Sequence, residues 1–373
     1  MKKKLLLTCT DLMAVQFLIP HVKYLSENGY DVTVACSDVG GRVDELREKL
    51  GETAKVRTVR LVRSPFSPQN FKGYGDVKRI INGEKWDIIW TNEPVMGVVT
   101  RLAAKKARRG GTRVVYMVHG FHFYRGAPAL NWMLYYPVEK YCSRLCDVIA
   151  TINEEDYRRA GKFHAGRVEK LPGVGVNLDN YFPNENRRAL MRENLGIAEN
   201  EIALLTVGEL HKGKNQSFVI QAMTKMKCRS VKYFLCGKGE TEQQLKKLIH
   251  DSGLDGRVEL LGYRRDIPDI MRACDIFVFP SLREGLSKAL MEAMASAMPV
   301  VCSDIRGNTD LIENGRGGFA ANLADAQAFA DALDRLCGDR KLRNEMGLYN
   351  CGAVEEFKEE KSLKENLSLL NSL

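Results

Sequence analysis

The 373-residue chain has no apolar run near the roughly 18–20 residues that a membrane span requires. Lys2-Lys3-Lys4 followed by Leu5-Leu6-Leu7 briefly resembles a secretory leader, but the stretch stops at Thr8-Cys9-Thr10-Asp11. That is too short for a leader and reads as a buried first strand. Proline is modest at 11 residues and no low-complexity segment occurs, so neither collagen nor a disordered tail is in view. The ten cysteines contain no C-x-x-C pair. Cys142 and Cys146 lie four apart on a predicted helix, where they could bind metal, but no matching His or Cys pair follows nearby. Buried free thiols in a reducing cytoplasm are the better reading. No zinc finger, basic zipper or aromatic RNA-binding motif is present, so no nucleic-acid partner is expected.

What is present is an ordinary globular balance, 45% hydrophobic and 28% charged, at a length that suggests two domains. The net charge of +9 is unevenly placed. Residues 1–180 hold 29 Lys and Arg against 19 Asp and Glu, whereas residues 181–373 hold 27 against 28. A basic first half suits nucleic acid, an anionic membrane surface or a phosphate-bearing substrate, or it is simply a soluble surface.

Short apolar runs alternate with amphipathic ones. The pattern predicts strands at Lys4–Thr8, Asp31–Cys36, Val56–Val59, Asp87–Trp90, Arg113–Val118 and Val148–Thr151, with helices such as Phe17–Asn28 and Val95–Arg108 between them. The segment 166–182 is rich in breakers and reads as a linker. The alternation then restarts, with strands at Ala203–Val207, Lys232–Cys236, Val258–Leu261, Ile276–Phe279 and Val300–Cys302. Helices are predicted at Gln216–Met226, Glu240–Ser252, Gly285–Ala297, Ala324–Leu336 and Ala353–Leu370. This is an α/β chain of two doubly wound parallel-sheet domains, with ligands expected beyond the carboxyl ends of the strands.

Three places carry chemistry. In Phe279-Pro280-Ser281-Leu282-Arg283-Glu284-Gly285-Leu286-Ser287 a strand ends, a loop follows, and Gly285 is expected to open a helix whose free amides favour a diphosphate. Glu284 and Glu292 are eight apart, close to two helical turns, so the reading places both carboxylates on one face. They could hold sugar hydroxyls, or be solvated surface glutamates. Gly208-Glu209-Leu210-His211-Lys212-Gly213-Lys214 puts a lysine near another helix start, where it can neutralise a departing diphosphate or be a plain turn lysine. Gly237 and Gly239 flank Lys238 after a strand, a weak signal for a close nucleotide approach. Finally, His119 and His122 follow the Arg113–Val118 strand; His119 could bond a donor-sugar hydroxyl or a phosphate and His122 could serve the acceptor, or each could be a packed, satisfied histidine.

The Glu284-x7-Glu292 spacing, the preceding Pro280-Ser281, the following Glu292-Ala293-Met294-Ala295 and Pro299-Val300-Val301 resemble glycosyltransferase family 4. The resemblance extends through Gly315–Gly318 and covers nearly the whole second half. It implies the GT-B architecture of two Rossmann-like domains facing a cleft, and a retaining transferase that uses a nucleotide-activated sugar. It further implies that Glu292 binds ribose hydroxyls and that Glu284 contacts the donor sugar. Gly285, Leu286 and Ser287 would present amides near the phosphates, and Lys214 would bind them. Gly208 and Gly237 would lie along the nucleotide, and His119 matches the family's first-domain histidine. The family's Arg after the first Gly is replaced by Glu209, so Lys212 could substitute for it, or Lys214 and helix amides could act alone. Cys9-Thr10-Asp11 stands where a Gly-Gly is usual. The stretch from His119 to Tyr136, with Gly126-Ala127-Pro128 and Asn131-Trp132, resembles a bacterial subgroup that builds capsular and exopolysaccharide units on lipid carriers.

The resemblance thus implies transfer from a UDP-sugar to a lipid-linked glycan at the cytoplasmic membrane face. Without an Asp-x-Asp motif, no metal or other cofactor is expected. Aromatics and cations in Phe121–Tyr141 suit contact with an anionic membrane, or make an ordinary amphipathic helix. The expected domains are 1–180 for the acceptor, 181–352 for the donor, and a C-terminal helix over 353–373 packing back on the first. A nucleotide-sugar epimerase or hydrolase, or a non-catalytic binding module on the same fold, are the alternative readings.

Overall fold

The computed structural model describes residues 2–38 and 40–373. It divides into two compact units, residues 2–174 with 360–373, and residues 175–359. The sequence-based boundary at 180 and 181 therefore falls six residues after the structural one.

The first unit contains β1 (Lys3–Asp11), β2 (Tyr30–Ser37), β3 (Ala54–Thr58), β4 (Ile88–Asn92), β5 (Arg113–Val118), β6 (Val148–Thr151) and β7 (Arg167–Lys170). They form one sheet in the order β3-β2-β1-β4-β5-β6-β7, and every neighbouring pair is parallel. Leu5, Leu6 and Leu7 are fully buried, as expected for a strand covered on both faces. β7 lies within the presumed linker. Its Arg-Val-Glu-Lys sequence on an edge position is half exposed, so it carries no apolar signal.

The second unit contains β8 (Ile202–Val207), β9 (Val231–Cys236), β10 (Val258–Gly262), β11 (Ile276–Phe279), β12 (Val300–Ser303) and β13 (Gly318–Ala321). The parallel order β10-β9-β8-β11-β12-β13 reverses direction between β8 and β11. In the first sheet the reversal lies between β1 and β4. Such switch points open a crevice at the carboxyl ends of the two central strands.

Two helix expectations require correction. The 353–370 stretch is not one helix. A 3-10 turn over Val354–Phe357 ends at Lys358, where ψ is 146°, and a new helix spans Glu359–Asn371. The break occurs where the chain pairs with Val176, whose N–H donates to Phe357 O (3.0 Å) and whose carbonyl accepts from Glu359 N (2.9 Å). Beyond it the helix joins the first unit. Ser362 Oγ donates to Gly173 O (2.6 Å) and Tyr30 Oη donates to Asn371 Oδ1 (2.8 Å). The second correction concerns Gly285. It does not open a helix. That helix spans Lys288–Ala295, because the Ser287 hydroxyl caps it by accepting from Leu290 N.

Candidate active site

The loops after β8 and β11 meet at the switch point of the second unit. Leu282 N donates to Gly213 O (2.8 Å), and Asn215 Nδ2 donates to Pro280 O (3.3 Å). Asn215 adopts φ 56° and ψ 33°, a left-handed turn that asparagine tolerates, which lets Gln216 start the next helix. Between these braces Lys214 Nζ donates to Glu284 Oε1 at 2.6 Å. The side chains are 22% and 12% exposed, so the pair is well shielded from water yet reachable. The ammonium also sits 4.8 Å from the centre of the buried Phe279 ring. Thus Lys214 and Glu284 are brought together by the fold, 70 residues apart in the chain.

Glycines shape the floor. Gly208 has φ 155°, and a Cβ there would lie 3.6 Å from Lys214 Cε. Gly237 has φ 153°, and its Cβ would lie 1.9 Å from Gly208 O, which no side chain can occupy. The two glycines therefore press backbone against backbone beside the lysine. Gly239, already marked in the sequence beside Gly237, and Gly307, which sequence reasoning missed, make similar contacts. A Cβ at Gly239 would meet Leu210 O at 2.2 Å, and one at Gly307 would meet Gly285 O at 2.5 Å and Glu284 Cβ at 3.3 Å. Gly307 thus fixes the loop that carries Glu284 and Gly285, and the buried Arg306 precedes it. Gly307 lies in the loop after β12, where no local pattern marks it.

Glu284 and Glu292 do not share a helix face, because only Glu292 lies on the helix. Glu292 is largely buried, and burial raises its carboxyl above the ordinary range. A hydrogen bond with Tyr181 and the charge of Lys288, one turn earlier, oppose that shift. Tyr181, another missed residue, has its phenol pushed well up by burial and by Glu292. Leu286 packs against the core and Ser287 serves as the cap, so Gly285, Leu286 and Ser287 form a bend ahead of the helix rather than its first turn. Lys212 and Glu209 are both exposed. Among the described residues no group of three or more His, Cys, Asp or Glu is placed to hold a metal ion, and Cys142 and Cys146 are buried thiols.

In the first unit, His119 follows β5. Its Nε2 lies 3.0 Å from Asn92 Oδ1, and Asn92 Nδ2 donates to Thr8 O (3.4 Å). With the amide so oriented, Nε2 carries the proton and Nδ1 is left as an acceptor. Burial lowers this imidazole from 6.5 to about 4, so it is neutral near pH 7. A neutral acceptor suits a hydroxyl and not a phosphate, which narrows the two roles open to His119 in the sequence. His122 packs against Tyr135, with ring centres 4.6 Å apart. Beside His119, Glu93 adopts φ 64° and ψ 158°, a region normally left to glycine. Its carboxylate accepts from Thr10 N (2.8 Å), and burial raises its pKa. The Cys9-Thr10-Asp11 segment is thereby pinned, with Asp11 paired to Arg63.

The Glycosyltransferase Family 4 model matches residues 16–173 and the Glycosyl transferases group 1 model matches residues 187–350. EpsD of Bacillus subtilis, which carries the name of a glycosyltransferase, is 35% identical over 371 residues, covering 98% of this chain and 95% of that protein. The chain belongs to glycosyltransferase family 4. Another relative of this glycosyltransferase is the Escherichia coli UDP-Gal:α-D-GlcNAc-diphosphoundecaprenol α-1,3-galactosyltransferase. It is 28% identical and covers 85% of this chain and 83% of its own. HepE of Anabaena, solved with UDP and glucose, superposes with a TM-score of 0.82 over the full length of both chains at 22% identity. Sucrose-phosphate synthase of Thermosynechococcus elongatus gives 0.80 over 100% of this chain and 99% of its own at 17% identity. The fold is therefore GT-B, with both sheets doubly wound as the sequence implied.

Proposed function

We propose that this glycosyltransferase retains anomeric configuration and moves a sugar from a UDP-sugar to a lipid-linked glycan. The observation that carries this reading is the shielded Lys214–Glu284 pair beside the Gly208–Gly237 backbone contact. It is a cation next to a floor without side chains, the arrangement a diphosphate needs to approach the main chain. The E. coli and Campylobacter jejuni relatives named for diphospho-undecaprenol acceptors, and the UDP bound in HepE, support the donor and acceptor classes.

In this reading Lys214 leaves Glu284 to meet the charge that builds on the departing diphosphate. Glu284 then orients a donor-sugar hydroxyl, and Glu292 accepts from ribose hydroxyls. The amides around Lys288, uncovered by the helix start, add positive potential for the phosphates. Neutral His119 accepts a sugar hydroxyl at Nδ1. The leaving phosphate takes the acceptor proton on the same face, so no protein nucleophile is needed, and the protein contributes orientation and charge. Lys214 and the amides supply the positive charge that a metal would otherwise bring. The protein works peripherally at the cytoplasmic membrane face, where a lipid-linked acceptor presents its polar head.

The test is a screen of UDP-sugars against a membrane lipid extract, following UDP release and product mass. Glycosylated lipid with stoichiometric UDP supports transfer. UDP with free sugar points to hydrolysis, and an isomerised donor points to epimerisation.

A further inference from the structure

The first-unit helix Ala129–Cys142 has its polarity reversed relative to a helix that faces water. Its outward face carries Leu130, Met133, Leu134, Pro137, Val138 and Tyr141, all exposed. These positions follow the i, i+3, i+4, i+7, i+8, i+11 spacing of one helical stripe. Its inward face carries a carboxylate. Glu139 accepts from Arg101 Nη2 (2.7 Å) and from Tyr116 Oη (2.9 Å), and the Arg101 guanidinium stacks 3.8 Å from the Tyr116 ring centre. Arg101 is fully buried, so turning the helix to hide the stripe would strand a charge in the core. The apolar stripe is therefore locked outward. Phe121 and Phe123, by contrast, are buried in an aromatic cluster with Trp132 and Tyr136, and do not contribute to the surface as the sequence suggested.

The flanking surface is predominantly basic; Glu155, which accepts from Arg125 N (2.7 Å) and pairs with Arg159 (2.6 Å), is already neutralised. Residues 101–146 contain nine Lys and Arg and a single acidic residue, Glu139, which is the buried one. At the end of the stripe, Lys105, Arg108, Arg109 and Arg113 line a pocket with Tyr141, and Lys105 Nζ lies 5.7 Å from the Tyr141 ring centre. The one carboxylate in that lining, Asp147, is already taken by Arg108 at 3.0 Å.

We propose that this face docks on an anionic lipid bilayer. The stripe enters the acyl boundary while the Lys105–Arg113 cluster meets headgroup phosphates. A stripe almost free of hydrogen-bonding groups, bordered by cations, fits a fluid apolar layer under an anionic surface. The proposal rests on the lipid-linked acceptor reading and names where that lipid phase is met.

The test is sedimentation of the full chain with phosphatidylcholine vesicles and with phosphatidylcholine–phosphatidylglycerol vesicles, at low salt and at 1 M salt. Two variants accompany the wild type, Met133→Gln with Leu134→Gln, and Lys105→Glu with Arg109→Glu. All four sites are exposed, and thermal melts verify the fold. We expect wild-type binding to the anionic vesicles, weakened by salt as the Debye length falls from about 10 Å to about 3 Å. Each variant should lose at least about tenfold in affinity. UDP release with a short-chain, water-soluble diphosphate-sugar acceptor should stay unchanged in both. Undiminished vesicle binding by the variants overturns the proposal. So does equal binding to the two vesicle types, or a dimer that Met133→Gln with Leu134→Gln converts to monomer. Soluble-acceptor turnover without vesicle binding refutes the docking face alone, whereas absent turnover refutes the transferase reading itself.

Discussion

Lys214 and Glu284 form a 2.6 Å ion pair across the switch point of the second sheet, and the donor reading requires the lysine to exchange that carboxylate for phosphate. Losing one charge stabiliser in a water-poor site costs roughly ten- to a thousandfold in turnover. Lys214→Ala should lower kcat within that range, and Lys212→Ala should matter little because Lys212 is exposed. Since each partner shapes the other, the double variant Lys214→Ala, Glu284→Ala should be markedly less impaired than the product of the two singles. Steady-state kinetics of the four-member cycle checks this, and multiplicative effects would contradict it.

Glu292 should act through donor affinity. Its carboxyl is raised by burial above the ordinary 4.5 and is held down by the Tyr181 hydrogen bond. A protonated carboxyl loses acceptor capacity for ribose hydroxyls. UDP affinity should therefore fall on acidification before an exposed glutamate would titrate. Tyr181→Phe should move that limb to higher pH, and Glu292→Gln should abolish it. Calorimetric titration of UDP from neutral to acidic pH measures all three.

His119 is held neutral, with its pKa lowered to about 4 by burial. The rate profile should thus show no limb near 6.5 that His119→Gln removes. The linkage sign is also fixed. Below the unfolded value near 6.5 the unfolded chain takes up a proton that the folded one refuses, so this residue lowers stability as pH falls toward about 4. In denaturant melts the stability difference between wild type and His119→Gln should be constant at neutral pH and should shift in the variant's favour as pH falls between those limits.

Gly237→Ala tests the backbone contact. The added Cβ would lie 1.9 Å from Gly208 O at a φ of 153°, so overpacking and backbone strain act together. A loss of about 2 kcal/mol or more is expected, with weakened UDP binding. Gly338→Ala, where nothing lies within 4 Å, is the control that should leave both unchanged.

Glu139→Ala should destabilise the first unit by about 3–5 kcal/mol, because it leaves the fully buried Arg101 without its carboxylate. Chemical denaturation checks the magnitude.

The central strands were legible because parallel strands buried on both faces are continuous apolar runs, as in Leu5–Leu7 and Ile276–Phe279. The edges were not. β7 is half exposed, and β13 is only Gly-Phe-Ala-Ala. The start of the helix that carries Glu292 was misplaced because Gly285 looked like an opener, while the decisive cap was the hydroxyl of Ser287. Lys214 and Glu284 were legible as separate motifs. That they touch follows from sheet order, which no local pattern states. Gly307 and Tyr181 were invisible for the same reason: their roles are contacts with distant segments. The apolar stripe of Ala129–Cys142 was half legible. The sequence shows aromatics and cations in this segment, but which side faces outward is decided by the Arg101–Glu139 pair beneath it.

The most direct test of the central claim is the anomeric configuration of the product formed from a UDP-α-sugar and a diphosphate-linked sugar acceptor, read by proton NMR while UDP release is followed. The account predicts one UDP per sugar transferred and an α-linked product. A β-linked product, or UDP release with no glycosylated acceptor, would contradict it.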